Sequence, residues 1–231
     1  MNGKRLRLEP GVFGRGIFAA LSEEEWWGIP GLGDPIGYDR KTLIYEQGAP
    51  ASHVYLLCSG LIKTFRSPAA DRVQIINIHS GGEVLGVEAL SRDTYTESAS
   101  SLFRAIVFRF SREAFLEVIS QRPALSVTLI RMMNIEFERI RSLIVDLGTK
   151  RALPRVASCI LLFMEKQLGK SRAEPFNLPI SRQEMGAFLG LSPETVSRQL
   201  KGLVTSRIIR LDHRRLTVIN VDQLRSIAAA V

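Results

Sequence analysis

Cysteine is almost missing from this chain: Cys58 and Cys159 are the only two in 231 residues. Each lies in an apolar run, Val54–Cys58 and Val156–Phe163, the setting of a small buried hydrophobe rather than of a reactive thiol. Disulfide support is not expected, and a reducing, cytoplasmic environment is. Histidine is as scarce. His53, His79 and His213 stand in unrelated places, so no His/Cys cluster has the spacing of a metal site. Neither paired carboxylates nor a nucleophile motif accompanies them, which argues against an enzyme. No apolar run reaches the ~18 residues that would suggest a membrane span. Lys4, Arg5 and Arg7 are followed by no apolar segment, so the N-terminus does not read as a secretory signal.

What the chain has in excess is positive charge in one part. It carries 31 Lys+Arg against 23 Asp+Glu, a net charge of +8. Residues 1–148 hold 17 basic and 17 acidic side chains, whereas residues 149–231 hold 14 and 6. The whole surplus therefore lies in the last third, the footprint expected of a polyanion-binding domain. A membrane-surface helix would instead form one continuous basic amphipathic run, and none is present.

The stretch Ser181–Gly202 sits in the middle of that basic part. Ser181 and Glu184 have capping-box spacing, and Met185, Phe188 and Leu189 fall on one helical face. Gly190 suits the left-handed residue that ends a helix. Ser192-Pro193 restarts one, with the hydroxyl at the N-cap and proline at the first helical position. Val196 and Leu200 then point inward, leaving Glu194, Ser197, Arg198 and Lys201 outward. Arg can bond guanine O6 and N7 together, Glu can accept from cytosine N4, and Ser adapts to either. The plain alternative is a solvated face on a helical hairpin; the charge distribution favours DNA.

Elsewhere the texture divides the chain. Gly11, Gly14 and Gly16 lack a strand-to-helix context and read as a loose arm. Ser22 to Glu25 forms another capping box, ahead of Trp26 and Trp27. Short β-rich runs follow: Lys41–Tyr45, His53–Cys58, Leu61–Arg66, Val73–His79, Val84–Leu85 and Ser100–Phe110, punctuated by glycines as in a sandwich or barrel. Ser111 caps a helix that Arg122-Pro123 closes. Beyond Pro123, Ile130, Met133, Phe137, Ile140, Ile144 and Leu147 recur at spacings of 3, 4, 3, 4 and 3, a heptad seam suited to a partner helix. Gly148-Thr149 is expected to break this helix as a hinge. A second helix, residues 151–168, precedes the hairpin. Ile208–Leu211 and Leu216–Asn220 then form a two-stranded wing with a basic tip at Asp212-His213-Arg214-Arg215, and Asp222 caps a last helix.

Glu46-Gln47-Gly48, Ser59-Gly60, Gly82-Glu83 with Gly86, and above all the run Leu189 to Arg198 resemble the Crp/Fnr superfamily of bacterial transcription regulators, across roughly residues 38–225. The resemblance implies an α+β chain in three parts. These are an arm and cyclic-nucleotide-binding-like β-roll sensor (1–123), a dimerisation helix with hinge (124–148) and a winged helix-turn-helix DNA-binding domain (149–231). It implies a homodimer on a palindrome of double-stranded DNA, with RNA polymerase as a further partner. The Glu194-x-x-Ser197-Arg198 pattern is similar to the Fnr and FixK branches, implying a TTGAT-like half-site. Glu194, Ser197 and Arg198 would meet base edges; Thr195, Ser181, Arg182 and Lys201 would hold phosphates, and the wing's Arg214 is a further expected DNA-binding residue.

The effector is less legible. By resemblance the pocket would lie around Gly86, Val87, Glu88, Glu97 and Ser98. Val87 stands where cAMP-binding members place the ribose-binding Glu, and Glu97 where they place the Arg that binds the cyclic phosphate, so cAMP is not expected. Two cysteines cannot supply the four thiolates of an iron–sulfur cluster. No cofactor is expected outright, and no metal. Haem on His53 or His79, an unrecognised small ligand, or regulation without a ligand stay open. The rival reading is a small-ligand or haem sensor whose DNA binding depends strictly on its effector.

Overall fold

The computed structural model describes residue 8 and residues 11–29, 32–69, 72–168 and 174–230. The chain forms two compact units, Met1–Glu138 and Arg139–Val231.

In the first unit, two 3-10 turns (Val12–Gly14 and Gly16–Ala20) lead into α1 (Glu23–Trp27). The Ser22 hydroxyl accepts from the Glu25 amide at 3.2 Å, and the Glu25 carboxylate accepts from the Ser22 amide at 2.7 Å, which is the expected capping box. The described part of the arm is not loose. Ile17, Phe18 and Trp26 are fully buried, and the Trp26 indole N–H donates to the Phe18 carbonyl at 2.8 Å. Gly16 lies against the Gly82 backbone, which accepts from the Ile17 amide at 2.9 Å; a Cβ at Gly16 would overlap the Gly82 carbonyl. Glycine serves close approach here rather than slack.

Eight strands follow: β1 (Ile36–Tyr38), β2 (Leu43–Tyr45), β3 (His53–Ser59), β4 (Leu61–Ala69), β5 (Arg72–Ser80), β6 (Val84–Leu85), β7 (Ser98–Ser101) and β8 (Ala105–Ser111). They make two antiparallel four-stranded sheets, ordered β1-β8-β3-β6 and β2-β7-β4-β5, which share one apolar core. The expected single run Ser100–Phe110 is two strands in different sheets. Leu102–Arg104 interrupts it, the Leu102 amide bonding the Leu61 carbonyl at 2.7 Å. α2 (Arg112–Gln121) starts on Ser111, whose hydroxyl accepts from Ala114, and buries Phe115 and Val118.

α3 (Pro123–Thr149) is the longest element. Leu125 and Leu129 enter the β-roll core, whereas Ile130, Met133, Phe137 and Ile144 are exposed, with Ile140 and Leu147 half-buried. The helix stops within the expected Gly148-Thr149 pair, and the next helix starts anew at Ala152. The helix runs through Gly148 and ends at Thr149, because glycine tolerates helical backbone and the last carbonyls find donors elsewhere.

The second unit comprises α4 (Ala152–Leu168), β9 (Phe176–Asn177), α5 (Arg182–Leu189), α6 (Pro193–Thr205), β10 (Ile209–Asp212), β11 (Arg215–Val218) and α7 (Val221–Ala229). α4 buries Val156, Cys159, Ile160 and Phe163, and Pro154 is accommodated in its first turn. The wing sheet has a third strand, in the order β10-β11-β9. α7 is capped by Asn220, which accepts from the Gln223 amide at 2.9 Å, and not by Asp222, which lies inside the helix. No helix is long and apolar enough to cross a membrane among the described residues.

Candidate nucleic-acid interface

The two-helix unit is built as its caps dictate. Ser181 accepts from the Glu184 amide at 3.1 Å while Glu184 accepts from the Ser181 amide at 2.8 Å, so α5 begins on a closed capping box. Gly190 ends it in the left-handed region, with φ 63°. Ser192 accepts from the Thr195 amide at 3.2 Å, and Pro193 opens α6. Met185, Phe188, Leu189, Val196, Leu200 and Leu203 are all buried. Each such side chain contributes about 1.5–3 kcal/mol on burial, which fixes the pair of helices against α4 and the wing.

That packing leaves one face of α6 outside. Glu194, Arg198 and Lys201 are exposed and Ser197 half-buried, at i, i+4, i+7 and i+3. The Glu194 carboxyl is held below the usual carboxylate range by its own backbone amide and by Ser192, as suits an acid in the first turn of a helix. Arg198 Nη2 lies 3.4 Å from the Thr195 hydroxyl, itself 3.1 Å from Ser192 Oγ. Thr195 is thus joined to the cap and half-buried. Ser181 is also committed to its cap through an oxygen lone pair, leaving its O–H to donate. Arg182 is exposed at the start of α5, and Arg214 is exposed at the wing tip beside His213, whose φ is 50°.

Two residues of this unit escaped the sequence reading. Gly186 closes the turn: its carbonyl accepts from Gly190 and from Leu191 (3.0 Å for the latter), and a Cβ there would overlap the Leu191 carbonyl. Arg155, on α4, donates to the carbonyls of Leu147 (2.8 Å), Lys150 (2.9 Å) and Leu189 (3.1 Å). It supplies the donors that the ends of α3 and α5 lack.

In the β-roll, Gly86, Val87 and Glu88 lie at the start of the 3-10 turn after β6, and Glu97 and Ser98 lie where β7 begins. Gly86 is buried and left-handed (φ 70°), and a Cβ there would meet the His53 carbonyl and crowd the rings of Tyr95 and Tyr55. Val87 packs on the core. Ser98 is buried and accepts from the Gln47 amide at 2.9 Å, which ties down the loop after β2. Burial pushes the Glu97 carboxyl up, and the neighbouring Glu88 carboxylate pushes it further, against the pull of His79 and a hydrogen bond from Thr64. Tyr45 stacks on Tyr95 with ring centroids 4.2 Å apart, and its phenol is raised by burial and then by Glu88 and Glu97. His79 is buried, with Nε2 3.5 Å from Thr64 Oγ1 and Nδ1 3.3 Å from the Glu83 carboxylate. His53 is half-buried with Nδ1 2.8 Å from Ser52 Oγ.

Residues 154–227 match the Crp-like helix-turn-helix domain and residues 35–122 the cyclic nucleotide-binding domain. The chain belongs to the Crp/Fnr superfamily of transcription regulators. This Crp/Fnr chain is 29% identical over 191 residues to the transcriptional regulatory protein btr of Bordetella pertussis, covering 82% of this chain and 78% of that one. To the transcriptional activator protein anr of Pseudomonas aeruginosa it is 28% identical over 186 residues, covering 80% and 76%. The structure of FixK2 from Bradyrhizobium japonicum aligns with a TM-score of 0.75 at 29% identity, over 85% of this chain and 98% of that one. The chain is a DNA-binding regulator of this type, Fnr/FixK-like in its recognition helix.

The charged groups acting on Glu97 are Glu88, His79 and Glu136, with no guanidinium or ammonium among them to meet a phosphate. Among the described residues no three His, Cys, Asp or Glu side chains are grouped to hold a metal ion. Cys58 is buried, with its thiol pushed up to about 12 by desolvation, and the Cys159 thiol is raised by the same cause.

Proposed function

We propose that this regulator works as a homodimer reading a TTGAT-like palindrome, with each α6 in a major groove. Glu194, Ser197 and Arg198 meet base edges; Ser181, Arg182, Thr195, Lys201 and Arg214 hold phosphates. The observation that carries this is the exposed face of α6, where an acid, a hydroxyl and a guanidinium project from the first turns of a helix in the basic part of the chain. The functional division follows the three parts 1–123, 124–148 and 149–231, and contact with RNA polymerase is part of the same reading.

The dimer is supported by α3. Phe137 is 53% exposed, Ile130 59% and Ile144 63%, an apolar seam at heptad spacing that the described residues leave uncovered. A β-roll signal would act by biasing two arrangements of these helices.

The test is fluorescence anisotropy on duplexes carrying two inverted TTGAT half-sites about one helical turn apart. Tight binding that is lost on scrambling the half-sites supports the reading. Equal affinity for the palindrome and for scrambled DNA across a salt series contradicts it.

A further inference from the structure

The sheet β2-β7-β4-β5 presents a row of groups across its strands. Tyr45 pairs with Ala99, Ala99 with Thr64, and Thr64 with Asn77, so these side chains share one face. Glu97 stands two residues before Ala99 and His79 two residues after Asn77, extending the row along that face. Glu88 reaches it from the 3-10 turn Val87–Leu90.

Three atoms of this row are buried without a hydrogen-bond partner: the Tyr45 hydroxyl, Glu88 Oε1 and His79 Nδ1. Tyr45 is only 6% exposed, and both carboxylates act on its phenol. A buried carboxylate oxygen lacking a donor is costly to leave unmade, by about 1–3 kcal/mol or more for a charged group. Apart from the His79 imidazole, the groups acting on Glu97 and Tyr45 include no positively charged hydrogen-bond donor.

We propose that the β-roll binds a small organic cation, an ammonium or guanidinium, held between Glu88 and Glu97 with the Tyr45 hydroxyl as its third contact. The charge requirement is thus the reverse of that for a cyclic phosphate. A bare metal ion is the weaker occupant, because these groups do not include three grouped His, Cys, Asp or Glu ligands. An alkylammonium or guanidinium instead brings several N–H donors to separate acceptors and tolerates the tyrosine rings beside it. The row also reaches α3, since Asn77 Nδ2 donates to Glu136 Oε1 at 2.9 Å, next to the seam residue Phe137.

The inference rests on reading the β-roll as the sensor of a regulator, but its test contains no DNA. The full chain is titrated calorimetrically at low salt with putrescine, spermidine, agmatine and methylguanidine, and in parallel with cAMP and cGMP. At least one of the four cations should bind once per chain with Kd below about 1 mM. Glu88→Gln and Glu97→Gln should each weaken it about tenfold or more. Both variants keep the side-chain shape, and circular dichroism verifies their folding.

Three results would overturn the proposal: no heat from any of the four cations up to about 10 mM, binding unchanged in both Gln variants, or a cyclic nucleotide binding in preference. The first means that the cluster holds only protons and water. Failure here leaves the DNA-reading face untouched, and a chain indifferent to every duplex could still take the amine.

Discussion

The guanidinium of Arg155 donates to the Leu189 carbonyl at 3.1 Å, tying the first turn of α4 to the last turn of α5. The same side chain reaches Leu147 and Lys150 at the end of α3. One planar fork thus serves three carbonyls that no helix can satisfy internally. Arg155→Ala should destabilise the protein by about 1.5–3 kcal/mol, the range for hydrogen bonds to a charged group. Arg155→Lys should recover only part of that, since one ammonium cannot span the three acceptors. Urea denaturation of the three proteins checks both, and an unchanged midpoint for the Ala variant would contradict the clamp.

The seam of α3 makes the second prediction. Phe137 is half-exposed in the single chain, and burying such a ring against a partner helix is worth about 1.5–3 kcal/mol. Phe137→Glu places a charge on that seam, so sedimentation at micromolar concentration should show a monomer where the wild type is a dimer. Affinity for the palindrome should fall with it. A variant that remains dimeric would contradict the seam.

Glu97 gives a pH dependence whose sign is fixed by its environment. Its carboxyl is raised in the folded chain by burial and by Glu88, so the folded state holds that proton more tightly than the unfolded state does. Its contribution to stability is fully present below the ordinary carboxylate range and is lost as pH rises through the raised value. Glu97→Gln mimics the protonated form. It should raise Tm by a few degrees at neutral pH, as a gain of about 1 kcal/mol would, and flatten stability against pH on the acid side. A lower Tm at neutral pH would contradict this account.

The cysteines make the fourth. Both thiols are buried and raised, Cys58 to about 12, so neither offers thiolate at neutral pH. Native protein should resist Ellman's reagent over hours, and two thiols should titrate after unfolding in guanidinium. Rapid native labelling of Cys58 would reopen a thiol switch in the β-roll.

What was legible in the sequence was local. Ser181 with Glu184, Gly190 and Ser192-Pro193 specify their caps within a few residues, so α5 and α6 could be placed and the outward set 194, 197, 198 and 201 followed from helical spacing. Glycine-rich composition misled in the N-terminal segment, because Gly16 is required by a contact with Gly82 that lies far along the chain. β9 has two residues and no period to detect. Gly186 and Arg155 act through carbonyls brought near only by the turn between helices. In the β-roll, Glu97 was visible as a displaced charge. That Tyr45 and Glu88 stand beside it is a product of strand pairing and a 3-10 turn, which no short window contains.

The central claim is that the first turns of α6 read bases while the residues around them hold phosphates. It is tested most directly by measuring wild type, Arg198→Ala and Lys201→Ala on the TTGAT palindrome and on random duplex across a salt series. Arg198→Ala should lose about 1–3 kcal/mol on the palindrome, with relaxed discrimination at one base pair and little change on random DNA. Lys201→Ala should weaken both duplexes alike and lower the salt slope by about one unit. If Arg198→Ala weakened palindrome and random duplex equally, Arg198 would not be at a base edge and the account would be wrong.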